Sequence, residues 1–400
     1  MFWSQPTVGS GQYLHHLVSD LARNPAGHRF VLVIPRFTTP QPPSIPGCQV
    51  VMMSTPFDRR NENLAKLWFE QIALVQICRR LRVDLIHVPY FGSPFRSATP
   101  VVTTVHDLIP LLLPAYKGHR GVQAYMRLAA ASAKRAAHVI ADSEWTRRDI
   151  LRHLRIPPER VTVTYLAASD QYAPRDEEAI AEVCARLRLH RPYVYYVGGF
   201  DRRKNVDMVV RAFAEATQAW SNRPQLVIAG SQPVGGDELF PDINRTILET
   251  GVAADVALIG PVTAEDSSAL MAGCSAFVFP SRYEGFGLSP LEAMQSGAPV
   301  LASSTSSVGE VVAEGGLLIH PDDLRGWADA LRQVLADASF AADLRRRGRE
   351  RAARFNWAKT AAQTLAVYAQ AIPRSQTPAM SAVKRQIRRP SRRSRTADDR

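Results

Sequence analysis

Residues 276–294 read AFVFPSRYEGFGLSPLEAM, and this stretch decides the predicted fold. The apolar run from Ala276 to Phe279 has the length and composition of a buried strand. A loop with two glycines follows, and Pro290 marks the first turn of a helix, where proline is favoured. This order of strand, loop and helix predicts an open α/β sheet, in which ligands bind beyond the carboxyl ends of the strands.

Two glutamates of this stretch are candidate ligand-binding residues. Glu284 stands before the glycine pair, on a loop where a folded chain rarely needs a carboxylate. If the amides of Gly285 to Leu288 hold a phosphate at the helix N-terminus, Glu284 and Glu292 flank that anion and accept hydrogen bonds from sugar hydroxyls. A structural alternative exists for Glu292, because Ser289 and Glu292 have the spacing of a capping box.

Strand and helix patterns alternate twice along the chain. Predicted strands lie at 29–34, 83–88, 100–105, 137–141 and 161–166, and then at 192–197, 225–229, 255–259, 276–279, 299–302 and 317–319. Such alternation is typical of parallel sheets with helices on both faces. We therefore predict an α/β protein with two Rossmann-like, doubly wound domains that face each other across a cleft.

The domain boundaries follow from the composition between the two series. A segment with Pro174 and a charged run separates them, so we place the domains at 1–171 and 172–356, with a hinge near Tyr172. We predict a further helix at 357–372 and a disordered basic tail at 373–400. A parallel domain normally opens with a strand, but only eight residues precede Gly9. Either the first strand is missing or truncated, or the true start lies upstream of Met1.

A basic cluster follows the first strand of the second series. Gly198 and Gly199 end that strand, and Arg203 and Lys204 come just before the next helix. At this edge of a sheet they can neutralise a diphosphate, Arg as a planar fork and Lys as a movable point charge. The structural alternative is a solvated basic turn.

The first half of the chain contributes two further candidates. Gly9-Ser10-Gly11 precedes a helical pattern and is either an anion-binding glycine loop or a tight turn. His106 and Asp107 follow a predicted strand, where a substrate between the domains would lie, although buried loop-capping residues would have the same pattern.

The net charge of +12 is concentrated near the chain's end. The last twenty residues hold eight Lys and Arg against two Asp, so they act either as a solubilising tail or in loose attraction to anionic lipid. The four cysteines lack the spacing of a zinc site or disulfide framework, which favours a reducing cytosol. No apolar run approaches the roughly 18–20 residues that span a bilayer, and no signal peptide opens the chain. We expect a cytoplasmic protein that is either free in solution or peripheral at the inner face of the membrane.

The motifs resemble those of the retaining glycosyltransferase family 4, whose members share the GT-B fold. Glu284 to Glu292 matches the E-x7-E motif of that family, and Arg203-Lys204-Asn205 matches its R-K-N stretch. The likeness also includes 105–108 and 137–148, and it covers nearly everything except the tail. Family members characteristically need no metal, so the resemblance implies neither a metal ion nor a cofactor.

The resemblance also implies a role for each matching residue. Glu292 would hold the nucleotide ribose, and Glu284 would contact the donor sugar. Arg203 and Lys204 would stabilise the departing diphosphate. The remaining implied contacts to the donor are Phe286, Gly287 and Leu288 on the sugar or phosphates, Gly9 and Gly11 as the first-domain wall, and His106 on the transferred sugar. The helix at 357–372 would cross back to the first domain.

The VHDLIPL wording at 105–111 resembles mannosyltransferases of polysaccharide and O-antigen assembly. This resemblance implies a retaining glycosyltransferase that moves a hexose from a nucleotide sugar to a glycan or lipid-linked saccharide. The favoured hexose is mannose, and the favoured donor is GDP-mannose. An epimerase or phosphorylase of the GT-B type is an alternative. The non-enzymatic alternative is a basic protein that binds nucleic acid or a membrane surface. That alternative leaves Glu284 without a role. For the enzyme, no nucleic acid is expected as a partner.

Overall fold

The computed structural model describes residues 2–5, 7–39, 41–232 and 238–372, so the predicted tail lies outside the described residues. The strands in these ranges are β1 Phe30–Pro35, β2 Cys48–Met53, β3 Ile86–Val88, β4 Val101–Val105, β5 His138–Ala141, β6 Val161–Val163, β7 Tyr193–Val197, β8 Gln225–Ala229, β9 Val256–Gly260, β10 Ala276–Phe279, β11 Val300–Ser303 and β12 Leu317–Ile319.

Helices connect these strands throughout the described chain. The α-helices are α1 Gly9–Arg23, α2 Glu62–Trp68, α3 Leu74–Leu81, α4 Ile109–Leu112, α5 Arg120–Arg135, α6 Glu144–Asp149, α7 Glu177–Arg186, α8 Val206–Thr217, α9 Ile243–Glu249, α10 Ala264–Gly273, α11 Leu288–Ser296, α12 Ser306–Val312, α13 Leu324–Ala336, α14 Ala338–Ala352 and α15 Trp357–Ala371.

The strands form parallel sheets in two separate halves of the chain. In the second half they pair in the order β12-β11-β10-β7-β8-β9, and every pair is parallel. In the first half, β3-β4-β5-β6 form a four-stranded parallel sheet, and β1 pairs in parallel with β2. The predicted α/β class with two Rossmann-like units is confirmed.

The predicted strands are all present, but the sequence patterns missed β2. Its apolar run is short, and four prolines between residues 40 and 46 precede it, so the local sequence gives little indication of a strand. Six consecutive residues, from Phe30 with Cys48 to Pro35 with Met53, pair β1 with β2. Pairing with a neighbouring strand therefore decided the conformation, as it often does for strands.

The six-stranded sheet is covered on both faces. Tyr193 and Tyr195 of β7 join one apolar cluster, whereas Val194 and Tyr196 join another. This follows from the two-residue period of a strand, which sends alternate side chains to opposite faces. Because both faces are buried, β7 has no charged residue, as expected for a central parallel strand.

The last helix, α15, packs on the first half of the chain. The Trp357 ring stacks on His16 of α1 with centroids 4.8 Å apart. At the other end of α15, the Tyr368 hydroxyl lies 2.7 Å from Nδ1 of His87 in β3. Tyr172, near which we placed the hinge, is only 6% exposed and lies in the apolar core. The exact domain boundaries stay a prediction.

No strand precedes α1 in residues 2–5 and 7–8 of the described chain. Phe2–Ser4 forms a short 3-10 helix instead. The two-stranded and four-stranded sheets of the first half are not joined to each other in the described residues.

Candidate active site

Two loops meet at the carboxyl ends of β7 and β10, which are neighbours in the sheet. Glu284, from the loop after β10, places Oε1 2.7 Å from Lys204 Nζ and 2.8 Å from Arg203 Nη1. The Ser281 hydroxyl donates to the same oxygen at 2.6 Å. We call Glu284, Arg203 and Lys204 the Glu284 cluster, and it unites residues from two loops, one after β7 and one after β10.

Opposite charges stabilise one another inside the Glu284 cluster. Burial raises the pKa of the Glu284 carboxyl, but Lys204 and Arg203 together hold that pKa below its ordinary value. Burial lowers the pKa of Arg203, and Glu284 and Asp201 bring it above its ordinary value. Glu284 is therefore a carboxylate, and Arg203 is a cation. The solvated-turn alternative for the basic residues is wrong, because the Arg203 and Lys204 side chains are only 13% and 17% exposed.

Glu292 lies on α11 and is 5% exposed. Burial raises its pKa to about 7, although a hydrogen bond with the Gln12 side chain opposes this. Gln12 belongs to the first turn of α1, so Glu292 reaches the first half of the chain. Among the described residues, Oε1 of Glu292 has no hydrogen-bond partner. This buried oxygen can accept a hydrogen bond from a ligand, since buried polar groups are rarely left unpaired.

The N-terminus of α11 faces the same region. The helix begins at Leu288, and Gly287 caps it with a φ of 109°, a left-handed conformation that favours glycine. No side chain of the described residues caps the first turn. The capping-box alternative for Ser289 and Glu292 is therefore wrong, because Ser289 lies inside the helix. An uncapped helix start leaves N–H groups and the positive dipole end available to an anion.

Gly285 brings the loop of the second half into direct contact with the first half. A Cβ added at Gly285 would lie 2.1 Å from the carbonyl oxygen of His106. The hydroxyls of Ser143 and Thr146 donate to the Gly285 carbonyl at 2.7 Å and 3.0 Å. Only glycine fits this close approach, so Gly285 has a structural reason to be glycine besides any contact with phosphate.

His106 is held from both sides by acceptors. Its Nδ1 lies 2.6 Å from Oδ2 of Asp142, and its Nε2 lies 3.1 Å from the carbonyl oxygen of Pro89. Burial lowers the pKa of His106, but Asp142 raises it above the ordinary value. A carboxylate and a carbonyl only accept hydrogen bonds, so both ring nitrogens face acceptors, an arrangement that favours the protonated ring. A contact with a sugar would have to use the ring carbons or replace the bond to Pro89.

The N-terminal glycines do not form the expected loop. Gly9 and Gly11 are the first and third residues of α1, and no side chain in the described residues caps this helix. A Cβ on Gly9 would lie 3.8 Å from Leu288, so the starts of α1 and α11 lie close together. A Cβ on Gly11 would lie 1.9 Å from the carbonyl oxygen of Gln5, which gives Gly11 a packing role.

Phe286 and Leu288 differ in what they contact. The Phe286 ring is 5% exposed and packs near Tyr165 and Phe355, with centroids 6.3 Å and 6.1 Å away. Its side chain belongs to an aromatic cluster, so a donor would meet its backbone. Leu288 is partly buried beside Gly9, at the junction of the two halves.

Sequence reasoning missed two residues of this site. Gln12 stands in the first turn of α1, and its position after the glycines could have suggested it. Asp142 directly follows β5, and His106 directly follows β4, the neighbour of β5 in the sheet. Because parallel neighbours end at the same edge, the meeting of Asp142 with His106 was foreseeable from strand order.

Neither a metal cluster nor a membrane helix is found in the part of the chain that the structure describes. Within these ranges, no three His, Cys, Asp or Glu side chains are grouped so as to hold a metal ion. None of the helices in the same ranges is long and apolar enough to cross a membrane.

Two family comparisons cover most of the chain. Residues 8–169 match Glycosyltransferase Family 4, and residues 185–351 match Glycosyl transferases group 1. The O-antigen chain mannosyltransferase B of Escherichia coli is 31% identical over 285 residues, which is 71% of this chain and 74% of that protein. The serotype-specific mannosyltransferase WbdA of Escherichia coli is 28% identical over 281 residues, and the match spans 69% of this chain but 34% of WbdA.

Solved structures share the architecture across both halves. Sucrose-phosphate synthase from Thermosynechococcus elongatus superposes with a TM-score of 0.73 at 25% identity, covering 91% of this chain and 93% of that one. HepE of Anabaena, solved with UDP and glucose, superposes with a TM-score of 0.71 at 20% identity, covering 91% and 96%. The fold and the site define a two-domain glycosyltransferase of the GT-B fold. The chain belongs to glycosyltransferase family 4, as its motifs predicted.

Proposed function

We propose that this glycosyltransferase moves mannose from GDP-mannose to a glycan or lipid-linked saccharide, with retention at the anomeric carbon. The observation that carries the proposal is the Glu284 cluster beside the uncapped start of α11. Support for mannose comes from the two relatives named mannosyltransferases. The names of these relatives favour glycosyl transfer over the reaction of an epimerase or a phosphorylase.

The donor diphosphate would lie between Lys204 and the first turn of α11. In the structure, Lys204 and Arg203 are neutralised by Glu284, and Asp201 lies 3.5 Å from Arg203. Cations already opposed by carboxylates attract an anion weakly, so the helix N-terminus must contribute. Glu284 would then turn one oxygen to a hydroxyl of the sugar while it keeps the cations in place.

The nucleoside would occupy the junction of α1 and α11. The unpaired Oε1 of Glu292 is suited to accept hydrogen bonds from the ribose hydroxyls. Gln12, which already bonds to Glu292, would complete this contact from the first domain.

If no protein nucleophile takes part, retention requires that the acceptor oxygen arrives on the face from which the phosphate leaves. The bond from the anomeric carbon to the phosphate oxygen breaks, and the bond from that carbon to the acceptor oxygen forms. The proton of the acceptor hydroxyl passes to the departing phosphate oxygen, so no protein nucleophile is needed. Negative charge grows on the diphosphate, where Arg203, Lys204 and the α11 amides are placed to stabilise it.

The test is a donor screen with an oligomannoside acceptor. The purified full chain is incubated with GDP-mannose, UDP-glucose, UDP-N-acetylglucosamine or ADP-glucose, and release of the nucleoside diphosphate is measured. We expect GDP release that depends on acceptor, and a product whose NMR spectrum shows the α-configuration of the donor. Preferred turnover of a UDP- or ADP-sugar would overturn the choice of donor, and a β-linked product would overturn retention.

We also propose that the basic tail at 373–400 attracts the enzyme to anionic membrane surfaces, where lipid-linked acceptors reside. Its charge supports this, since each Lys or Arg near such a surface contributes about 1 kcal/mol. Flotation with vesicles that contain 30% phosphatidylglycerol tests it. The full chain should bind in low salt and detach in high salt, and a chain that ends at Ile372 should stay unbound. Equal binding by both chains would contradict the proposal.

A further inference from the structure

Asp201 and Arg203 lie in the same turn, between β7 and α8. The N–H of Lys204 donates to the Asp201 carbonyl oxygen at 2.8 Å and closes this turn. Oδ1 of Asp201 lies 3.5 Å from Nε of Arg203, which is longer than the roughly 2.7–3.2 Å of a hydrogen bond. In the described part of the chain, this buried Nε has no hydrogen-bond partner. A buried donor beside a carboxylate is rarely left unpaired, so another group must keep the two apart.

Tyr116 binds the carboxylate at this position. Its hydroxyl donates a hydrogen bond to Oδ1 of Asp201 and accepts one from the backbone N–H of Arg203 at 3.1 Å. Burial and the hydrogen bond to Asp201 raise the pKa of Tyr116 to about 12, so the hydroxyl keeps the proton that it donates. The oxygen of Asp201 that lies nearest to Arg203 is therefore already bound by Tyr116.

The contact between Tyr116 and Asp201 crosses from one domain to the other. Tyr116 belongs to the short 3-10 helix Pro114–Tyr116 in the first half of the chain, whereas Asp201 follows β7 in the second half. Their hydrogen bond forms only while the two halves lie together. When the halves separate, Asp201 loses this donor, and the unpaired Nε of Arg203 is close enough to replace it.

A direct bond from Asp201 would change the charge that Arg203 presents to an anion. Nη1 of Arg203 already lies 2.8 Å from Oε1 of Glu284, and the Arg203 side chain is 13% exposed. With a second carboxylate in contact, the guanidinium would face two negative charges in a region that water screens weakly. Its attraction for a phosphate would then fall.

We propose that Tyr116 is a positioning residue that holds Asp201 away from Arg203 while the domains are closed, so that Arg203 keeps its charge for the donor diphosphate. This inference rests on the proposed function, because it takes the diphosphate to bind beside Arg203. Opening of the domains returns Asp201 to Arg203 and so favours release of the nucleoside diphosphate product. Closure therefore raises the affinity of the site for its donor, and opening lowers it.

A double-mutant cycle at Tyr116 and Asp201 tests the proposal. Tyr116→Phe removes the hydroxyl, and Asp201 then pairs with Arg203. Asp201→Asn removes the competing charge, so it should restore binding in the double variant. Isothermal titration calorimetry measures the affinity of the purified full chain for GDP, UDP and ADP.

The expected results concern whichever nucleotide the wild type binds best. Tyr116→Phe should weaken its binding roughly tenfold, which lies within the usual coupling between residues in contact. The double variant and Asp201→Asn alone should stay within roughly threefold of the wild type.

Tyr165→Phe is the matched control. It removes another tyrosine hydroxyl that bonds across the domains, but to Glu310 at 2.6 Å and not to Asp201. Asp201→Asn should not reverse any effect of Tyr165→Phe, and circular dichroism should show the same fold in every variant.

Equal affinities of Tyr116→Phe and the double variant would overturn the proposal, because the hydroxyl would then act only by holding the domains or the Arg203 backbone. Wild-type affinity in Tyr116→Phe would overturn it too, as would recovery of Tyr165→Phe through Asp201→Asn. A wild-type chain that binds none of the three nucleotides would instead overturn the donor site on which the proposal rests. Failure of this proposal and failure of the proposed function are therefore distinguishable.

Discussion

The carboxylate of Glu310 accepts a hydrogen bond of 2.8 Å from the backbone N–H of Glu144, and so joins α12 to α6 across the two halves of the chain. The N–H of Trp145 donates to its other oxygen at 3.1 Å, and the Tyr165 hydroxyl donates at 2.6 Å. Glu310 therefore caps a helix that belongs to the other domain. Such a cap forms only while the two domains lie together.

Replacing Glu310 should loosen the contact between the domains. In Glu310→Ala the first N–H groups of α6 lose their acceptor, which typically costs about 0.5–2 kcal/mol. We expect a larger radius of gyration in X-ray scattering and a higher KM for the donor. The control is Glu314→Ala, which removes an ion pair with Arg354 in which both side chains are more than half exposed. Unchanged scattering and KM in Glu310→Ala would show that the cap does not hold the domains together.

Lys204→Ala should abolish most transfer while the fold persists. Glu284 keeps its contacts with Arg203 and Ser281, so the cluster remains paired. Loss of one donor to a developing oxyanion typically lowers kcat by about 10²–10³-fold. Steady-state kinetics measure the loss, and circular dichroism checks the fold. Arg202→Ala is the matched control, because Arg202 is an exposed cation two positions away. Wild-type rates in Lys204→Ala would remove Lys204 from the mechanism.

Glu292 should make stability depend on pH. Burial raises its pKa from 4.5 to about 7, so the folded chain keeps a proton that the unfolded chain has lost between these values. The stabilisation of the folded state by the protonated Glu292 is fully present below pH 4.5 and is lost as the pH rises towards 7. At about 1.4 kcal/mol per pKa unit, the free energy of unfolding falls by about 3 kcal/mol across this pH range. In Glu292→Gln, urea denaturation from pH 5 to pH 8 should show a smaller loss of stability than in the wild type.

A second buried glutamate provides the control for this experiment. Burial raises the pKa of Glu70 to about 7 as well, and Tyr125 donates to its carboxylate at 3.0 Å. Glu70→Gln should flatten the pH dependence in the same direction and leave the KM for the donor unchanged. Only Glu292→Gln should raise that KM. Parallel stability profiles of Glu292→Gln and the wild type would contradict the assigned pKa.

Local sequence patterns predicted what depends on neighbours along the chain. The buried strands, the end of α15 and the loop that carries Glu284 all follow from runs of apolar residues and from glycine and proline positions. The meeting of Glu284 with Lys204 was foreseeable, because both follow strands that end at one sheet edge. The motif resemblance added the family, which residue patterns alone would have left at two Rossmann-like domains.

Contacts between distant segments could not be predicted in this way. β2 forms because β1 offers it an edge, and nothing in its own six residues requires a strand. The capping-box spacing of Ser289 and Glu292 was misleading, because the N-cap of α11 is Gly287, two residues before Ser289. Glu310 carried no local signal, since its partners lie more than 140 residues away.

Gly285→Ala should separate the catalytic halves without unfolding either one. Its new methyl carbon would lie 2.1 Å from the His106 carbonyl oxygen, a backbone atom of the opposite domain that cannot turn aside. The domains must move apart, and this displaces Glu284 from His106 and from the sugar between them. We expect kcat/KM to fall by at least about 10²-fold, because displacement of about 1 Å has such an effect on a reaction that depends on alignment. Gly121→Ala is the matched control, since its Cβ would meet only the side chain of His119, 3.0 Å away and exposed. Scattering should show expansion in Gly285→Ala alone, while both variants keep wild-type circular dichroism. A compact, active Gly285→Ala enzyme would mean that the loop can yield, and that this contact does not set the distance between the domains.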